Sequence, residues 1–274
     1  MDDVQAQLDR AWEAAAPTYE RAAFAQHAPF GELLAEWVVL GPGGRVLDVG
    51  CGAGAALLPA ARRVGPTGEA VGVDRAAGMV ERTRAAAAEQ GLGQVRAEVM
   101  DGAALDFEDA SFDAVLSNFA LAAIAEPERA LAEWRRVLRP TGTLAVSVWE
   151  NALDDRWRWQ GELFRELWPE VPGELKATVE RMNTRFAGPG ALQAALEAAG
   201  FRDVSVSSEW LEATFASAQD WWEWQWSGAA RVFLEALPEA GRERFRAAGF
   251  ARLEEAGHDA RSRQFPALLA HARA

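Results

Sequence analysis

The segment Val46-Leu47-Asp48-Val49-Gly50-Cys51-Gly52-Ala53-Gly54 restricts this chain more than any other stretch. A short apolar strand runs into a turn with glycine at every second position, and a helical pattern follows from about Ala55 to Val64. Glycines let the backbone turn tightly and approach a ligand with no Cβ in the way. The helix behind them presents unpaired N–H groups at its start. Such a loop suits nucleotides of many kinds, so its surroundings have to narrow the reading.

From this point the chain alternates. Strands are predicted over Arg45–Val49, Ala70–Val73 ending on Asp74, Val95–Met100, Phe112–Leu116 and Thr143–Trp149. Between them lie helices over 55–64, 76–90 and 127–138, the last stopped by Pro140 and Gly142. Strands alternating with helices of about ten residues or more mark right-handed crossovers in a parallel sheet. Residues 45–150 therefore read as an open α/β sheet with helices on both faces. Before it, a helix from Gln5 to Ala16 places Leu8, Ala11, Trp12 and Ala15 on one face and is ended by Pro17, and a second runs from Gly31 to Leu40. After Trp149 come a Trp-rich segment, a helix over 189–199, a strand over Val204–Ser208 and a mainly helical stretch from Ser217 to about Ala256. Gln264–Ala270 reads as a final strand, with Pro266 at an edge or a strand start. With no internal repeat or linker, 1–274 reads as one domain.

Three details narrow the ligand. The loop is G-x-G-x-G, not the G-x-G-x-x-G of a dinucleotide fingerprint. Asp48, inside the strand before the loop, repels a pyrophosphate but attracts an ammonium group. Asp74 closes the next strand, where a carboxylate accepts hydrogen bonds from two ribose hydroxyls. Taken singly, Asp48, Asp74 and Asp101 also suit a strand-end acid, a helix N-cap and a turn cap. All three, however, coincide with strand C-termini, where ligands bind in open α/β sheets. The pattern predicts a cationic amino-acid ligand that carries a ribose.

Residues 45–150 resemble class I S-adenosylmethionine-dependent methyltransferases, in particular the UbiE/Coq5-like small-molecule branch. Leu47–Gly54 is similar to the family's first motif and Val71-Gly72-Val73-Asp74 to its second. Val99-Met100-Asp101-Gly102-Ala103 resembles the third and Phe112–Asn118 the fourth, and Arg136–Gly142 resembles the approach to the fifth strand, with Thr141 in place of a more usual glycine. The resemblance implies a Rossmann-like, seven-stranded, mostly parallel sheet that binds S-adenosyl-L-methionine. It places Asp48 just before the loop and Gly50, Cys51, Gly52 and Gly54 in it, Asp74, Arg75 and Met79 at the cofactor with Asp74 on the ribose, and Asp101 at the adenine amino group with Met100 on the ring. Gly102 and Ala103 follow there, and Ser117 and Asn118 meet the methionine end. Residues 1–44 become helices that cover the cofactor, and 151–187 and 210–260 become inserted helices forming a Trp-rich lid over the substrate.

The catalytic residues are less legible. The family often carries a histidine after the fourth strand, but here that segment reads Asn118-Phe119-Ala120-Leu121-Ala122-Ala123-Ile124. His27, in the covering region, is the candidate base, ahead of His258 and His271, and Tyr19, the only tyrosine, matches a position over the cofactor. Eight of the twelve tryptophans fall after residue 150. Any one of them suits core packing, whereas together they suit an aromatic pocket for a bulky apolar acceptor. Trp157, Trp222 and Trp226 are the candidates, with Trp222 and Trp226 on one helix face; Trp222, Trp224 and Trp226 would also share one face of a strand. Arg231 either meets an anionic group on the acceptor or pairs with Glu235.

Composition excludes several partners. A net charge of −13 with dispersed arginines disfavours nucleic acid and anionic membranes. One cysteine, no long apolar stretch and an acidic start, Met1-Asp2-Asp3, predict a cytoplasmic protein; a monomer or a homodimer is expected, the sequence favouring neither. No metal cluster is visible. The leading expectation is methyl transfer to oxygen or carbon of an apolar small molecule. Its competitor is a repurposed fold that keeps the cofactor but cyclises or rearranges its substrate.

Overall fold

Apolar runs such as Val46-Leu47 and Ala114-Val115-Leu116 put hydrophobic side chains on both sides of a strand, so such strands are stable only between two helical layers. The computed structural model, which describes residues 2–22, 24–38, 40–150, 155–186, 188–228, 230–255 and 261–274, shows that arrangement. The strands are β1 (Arg45–Val49), β2 (Glu69–Asp74), β3 (Val95–Val99), β4 (Phe112–Asn118), β5 (Leu138–Trp149), β6 (Arg202–Thr214) and β7 (Ser262–Arg273). They form one seven-stranded sheet in the order β3-β2-β1-β4-β5-β7-β6. The first five pair in parallel, and β7 runs antiparallel to both β5 and β6.

Helices α1 (Asp2–Ala22), α2 (Phe24–Trp37), α3 (Leu57–Val64), α4 (Ala77–Glu89), α5 (Pro127–Val137) and α8 (Pro189–Ala198) surround this sheet. Leu47, Val71 and Val115 pack with Trp134 of α5 and Leu192 of α8 on one face. Val46, Leu116 and Ala145 pack with Leu34 of α2 and Leu57 of α3 on the other. Two helical insertions interrupt the late crossings. They comprise α6 (Arg158–Leu167) and α7 (Gly173–Arg185) after β5, and α9 (Ala218–Trp226), α10 (Ala230–Ala236) and α11 (Glu239–Glu255) between β6 and β7. These insertions share a separate aromatic core with Leu8 and Ala11 of α1. Trp221 is fully buried at its centre. Its ring lies against Gly249 of α11, where a Cβ would come within 2.1 Å of it.

Four boundaries differ from the sequence reading. Pro17 does not end the first helix, because α1 continues through it to Ala22. Buried Ala11, Ala15, Ala16 and Tyr19 flank the proline, and this packing outweighs the roughly 3 kcal/mol that an internal proline costs. Helix α2 starts at Phe24 instead of Gly31 and contains Pro29. Strand β5 begins at Leu138, where helix and Pro140 had been expected, with a register irregularity opposite Phe112 and Ala114. Strand β6 runs to Thr214 because it pairs with β7 from end to end, so Trp210 lies in a strand and the second insertion starts near Ala218 instead of at 210. Ser217 caps α9, its hydroxyl accepting from the Asp220 amide at 3.1 Å, and a helix rather than a strand carries Trp222, Trp224 and Trp226.

Candidate active site

The strand order reverses between β1 and β4, and open α/β sheets leave a crevice at the carboxyl ends of such a pair. A cavity of about 400 Å³ opens there, floored by strand ends and walled on one side by α1 and α2. That volume falls within the range of small-molecule sites. Gly50 is obligatory in its floor: its φ is +73°, and a Cβ would stand 2.2 Å from the Cβ of Ala120. Backbone strain and a collision with a strand-end residue would both follow from any side chain there.

One end of the cavity is acidic. Asp74 accepts the Gly52 amide on Oδ2 and the Ala76 amide on Oδ1, each at 2.9 Å. Each oxygen retains a lone pair, so the carboxylate is fixed in orientation and still able to accept two hydroxyls. Burial raises its pKa, while the amides of Ala76, Gly52 and Arg75 oppose the shift. Arg75 bridges two elements, donating to Asp101 at 2.7 Å and to Asp9 of α1 at 2.8 Å. The other Asp101 oxygen takes the Ala103 amide at 2.9 Å. Glu13, one turn further along α1, accepts the Gly78 amide at 3.0 Å at the start of α4. Met79, Met100, Gly102 and Ala103 complete this end.

Aromatic rings share the wall. Trp12 and Tyr19 pack beside Ala76 and Met79, near the acids, whereas the His27 and Phe119 rings, with Asn118, mark an aromatic end. The His27 ring lies 5.5 Å from Tyr19 and 5.3 Å from Phe119. Asn118 ties the elements together: its Nδ2 donates to the His27 carbonyl at 3.1 Å, and its Oδ1 accepts from Ser147 at 2.7 Å. Burial, and after it the charge of Asp74, push the Tyr19 phenol well above its ordinary pKa. The neutral phenol is thereby favoured over the phenolate.

Several sequence candidates lie outside the wall. Asp48 alternates away from it, on the Val46 side of β1. It is 1% exposed, and neither carboxylate oxygen has a hydrogen-bond partner. Burial first, and then the charge of Asp74, raise its pKa to about 8, and the Leu57 amide pulls the other way without closing a hydrogen bond. Burial thus disfavours the charged form of Asp48 at this position. Ser117 is turned inward, donating to the Val49 carbonyl at 2.9 Å, and Cys51 and Gly54 support the loop from behind. Trp157, Trp222, Trp226 and Arg231 also lie outside the wall. Trp157 donates to the Ser262 carbonyl at 2.7 Å, and Trp222 and Trp226 pack edge to face in the aromatic core. Arg231 pairs with Glu235 at 2.7 Å and donates to the Ala14 carbonyl at 3.1 Å. His271 lies within β7, and His258 lies outside the described residues. Sequence reasoning missed Gln5, Asp9 and Trp12 of α1, together with Phe119, Ala120 and residues 123–126. Only Asp9 carried a usable signal, as an acid on the exposed side of an amphipathic helix.

A family profile described as a methyltransferase domain matches residues 40–198. The chain belongs to the class I S-adenosylmethionine-dependent methyltransferases. Its methyl donor is S-adenosylmethionine, and the loop glycines, the carboxylate of Asp74 and the adjoining apolar wall suit an adenosine. The methyltransferase is 38% identical to nocamycin O-methyltransferase of Saccharothrix syringae, over 76% of each chain. It is 35% identical to a 2-phytyl-1,4-naphthoquinone methyltransferase of Trichormus variabilis, over 53% of this chain and 64% of that relative. Among solved structures it superposes on the YcgJ protein of Bacillus subtilis with a TM-score of 0.60 at 21% identity, covering 89% and 98% of the two chains. It also resembles the [4+2]-cyclase SpnF, with a TM-score of 0.55 at 25% identity over 90% and 81%. Among the described residues no helix is long and apolar enough to cross a membrane.

Proposed function

We propose that this methyltransferase carries a methyl group from S-adenosylmethionine to oxygen or carbon of a bulky apolar small molecule, of specialised or quinone-type metabolism. The observation that carries the reading is the division of one cavity into an acidic and an aromatic end. Asp74 would hold the ribose hydroxyls, Met100 and Asp101 the adenine, and the 50–54 loop the amino-acid portion, with Asn118 beyond it. Bound there, the cofactor supplies an electrophilic methyl carbon, and the protein's task is to place the acceptor in line with it. The aromatic end is suited to an apolar acceptor, and the names of the nocamycin and phytyl-naphthoquinone relatives support that class.

His27, 8% exposed in the wall, is the group placed to take a proton from a hydroxyl or carbon acid. Tyr19 orients the acceptor by donating a hydrogen bond. Helices α1 and α2 cover the site and keep water from it, and the insertions brace α1 through Leu8 and Ala11. Net charge and composition support a cytoplasmic enzyme working without nucleic acid or stable membrane association.

Incubation with methyl-labelled S-adenosylmethionine and a small-molecule extract of the source organism tests the proposal. It predicts label in an extractable apolar compound together with an equal amount of S-adenosylhomocysteine. Conversion of an extract component with no S-adenosylhomocysteine formed would instead establish the cyclising reading that the SpnF likeness keeps in view.

A further inference from the structure

Beyond the cavity wall the aromatic end continues onto a second ring. Phe119 follows β4 directly and Trp149 ends β5, its parallel neighbour, so both stand at the strand ends where the cavity opens. Their rings stack at 3.8 Å between centroids with 17° between planes. Trp149 also meets His27, another wall residue, edge to face at 5.4 Å. With Phe30 at 6.2 Å and Phe265 at 6.1 Å as well, four rings surround this indole. It is nonetheless 40% exposed, whereas Phe30 is 2% exposed. Phe30 suffices to pack α2 on the sheet, and a Trp serving only that purpose would be buried with it.

The backbone gives a second, independent observation. Phe119 has a φ of +61°, a conformation that is a true outlier for a bulky residue and that gathers at ligand-binding and catalytic positions. It is held by its own amide, which donates to the carbonyl and the hydroxyl oxygen of Ser147, each at 3.1 Å. The strained turn swings the Phe119 ring across to β5 and flat against Trp149, while Asn118 and Ala120 on either side still line the cavity.

We propose that the exposed indole of Trp149, backed by Phe119, is the platform on which the acceptor lies, and that it selects a planar, conjugated ring system over a globular aliphatic one. The proposal rests on the reading that the acceptor enters at the aromatic end. Parallel stacking on a fixed ring rewards flat ligands, through offset contact of two π-systems in addition to area. A globular ligand of equal size touches the indole at only a few atoms. Phe119 fixes the tilt of the platform, so this specificity is set before any acceptor binds.

Calorimetry on the full chain loaded with S-adenosylhomocysteine tests it, using menadione as the planar probe and 2-adamantanone as the globular one. Menadione is expected to bind at least about fivefold more tightly than adamantanone. Trp149→Ala should remove that preference and Trp149→Phe should retain most of it, with S-adenosylhomocysteine affinity unchanged within about twofold in both. If Trp149→Ala does not fold, Trp149→Leu keeps apolar bulk without a flat face and should show the same loss. Equal affinities for the two probes, no binding of menadione, or menadione binding indifferent to Trp149 would each overturn the platform. Trp149-dependent menadione binding in an enzyme that transfers no methyl group would sink the proposed function and leave the platform standing.

Discussion

The strand-end cavity and the helical insertions are both rich in residues of one chemical kind, acids in the first and aromatic rings in the second, yet they use them in opposite ways. In the cavity each acid holds a backbone amide or a cation and still faces open space. Asp74 takes the Gly52 and Ala76 amides, and Asp101 takes the Ala103 amide and Arg75. In the insertions the rings hold one another: Trp221 stacks on Phe245 at 5.6 Å and gives its indole N–H to Gln160 at 3.0 Å. A polar side chain can satisfy its partner and keep capacity for a ligand, because each oxygen has two lone pairs. A buried ring spends its surface on its neighbours. An abundance of tryptophan therefore marks a core more readily than a pocket, and the rings that line the cavity, Trp12, Tyr19, His27 and Phe119, come from α1, α2 and the turn after β4.

The largest expected effect separates the two regions. Trp221→Ala should lower stability by about 3–5 kcal/mol in urea unfolding, as for other large-to-small core changes, with S-adenosylhomocysteine affinity unchanged within about twofold. A parallel loss of affinity would show that the insertions shape the cofactor site.

Next comes the buried acid of β1. The Asp48 pKa rises from about 3.9 in an unfolded chain to about 8 in the fold. Its contribution to stability is fully present below pH 4 and is lost as pH rises through 8, at about 1.4 kcal/mol per pH unit. Asp48→Asn should remove that slope, leaving the variant a few kcal/mol more stable than wild type at pH 8 and close to it at pH 4. Parallel stability profiles would contradict a protonated Asp48.

A smaller effect falls on the ribose site. Asp74→Ala should weaken S-adenosylhomocysteine by about tenfold in isothermal titration, the worth of a charge-assisted hydrogen bond, and should cost about 1–3 kcal/mol of stability because the Gly52 and Ala76 amides lose their acceptor. The smallest concerns the clasp on α1. Asp9 and Arg75 are partly exposed, so Asp9→Asn should cost below about 1 kcal/mol. It should speed cofactor release at low salt and match wild type at high salt. An unchanged release rate at low salt would show that α1 is held by packing alone.

The sheet was legible because its signals are local. Glycine spacing at 50–54, acids at 74 and 101 and apolar runs in β1 and β4 each follow from backbone geometry at one place in the chain. The cavity's remaining wall was not legible, because Gln5, Asp9 and Trp12 reach it only through the packing of α1 on α4, which no local pattern encodes. Asp48 shows the same limit within a strand, since its position in the motif was clear but its face and protonation depend on burial against α3. Pro17 and the far end of β6 were misread for the same reason, the decisive contacts being long-range. Phe119 has no sequence signature, as a left-handed conformation at a phenylalanine is imposed by Ser147 from the neighbouring strand.

A crystal structure of the S-adenosylhomocysteine complex decides which end of the cavity takes the adenosine. The prediction is ribose hydroxyls on Asp74, adenine beside Met100 and Asp101, and the sulfur directed toward Asn118 and the His27–Phe119 end. Adenine stacked on Phe119 or Trp149, with Asp74 left on its backbone amides alone, would contradict it.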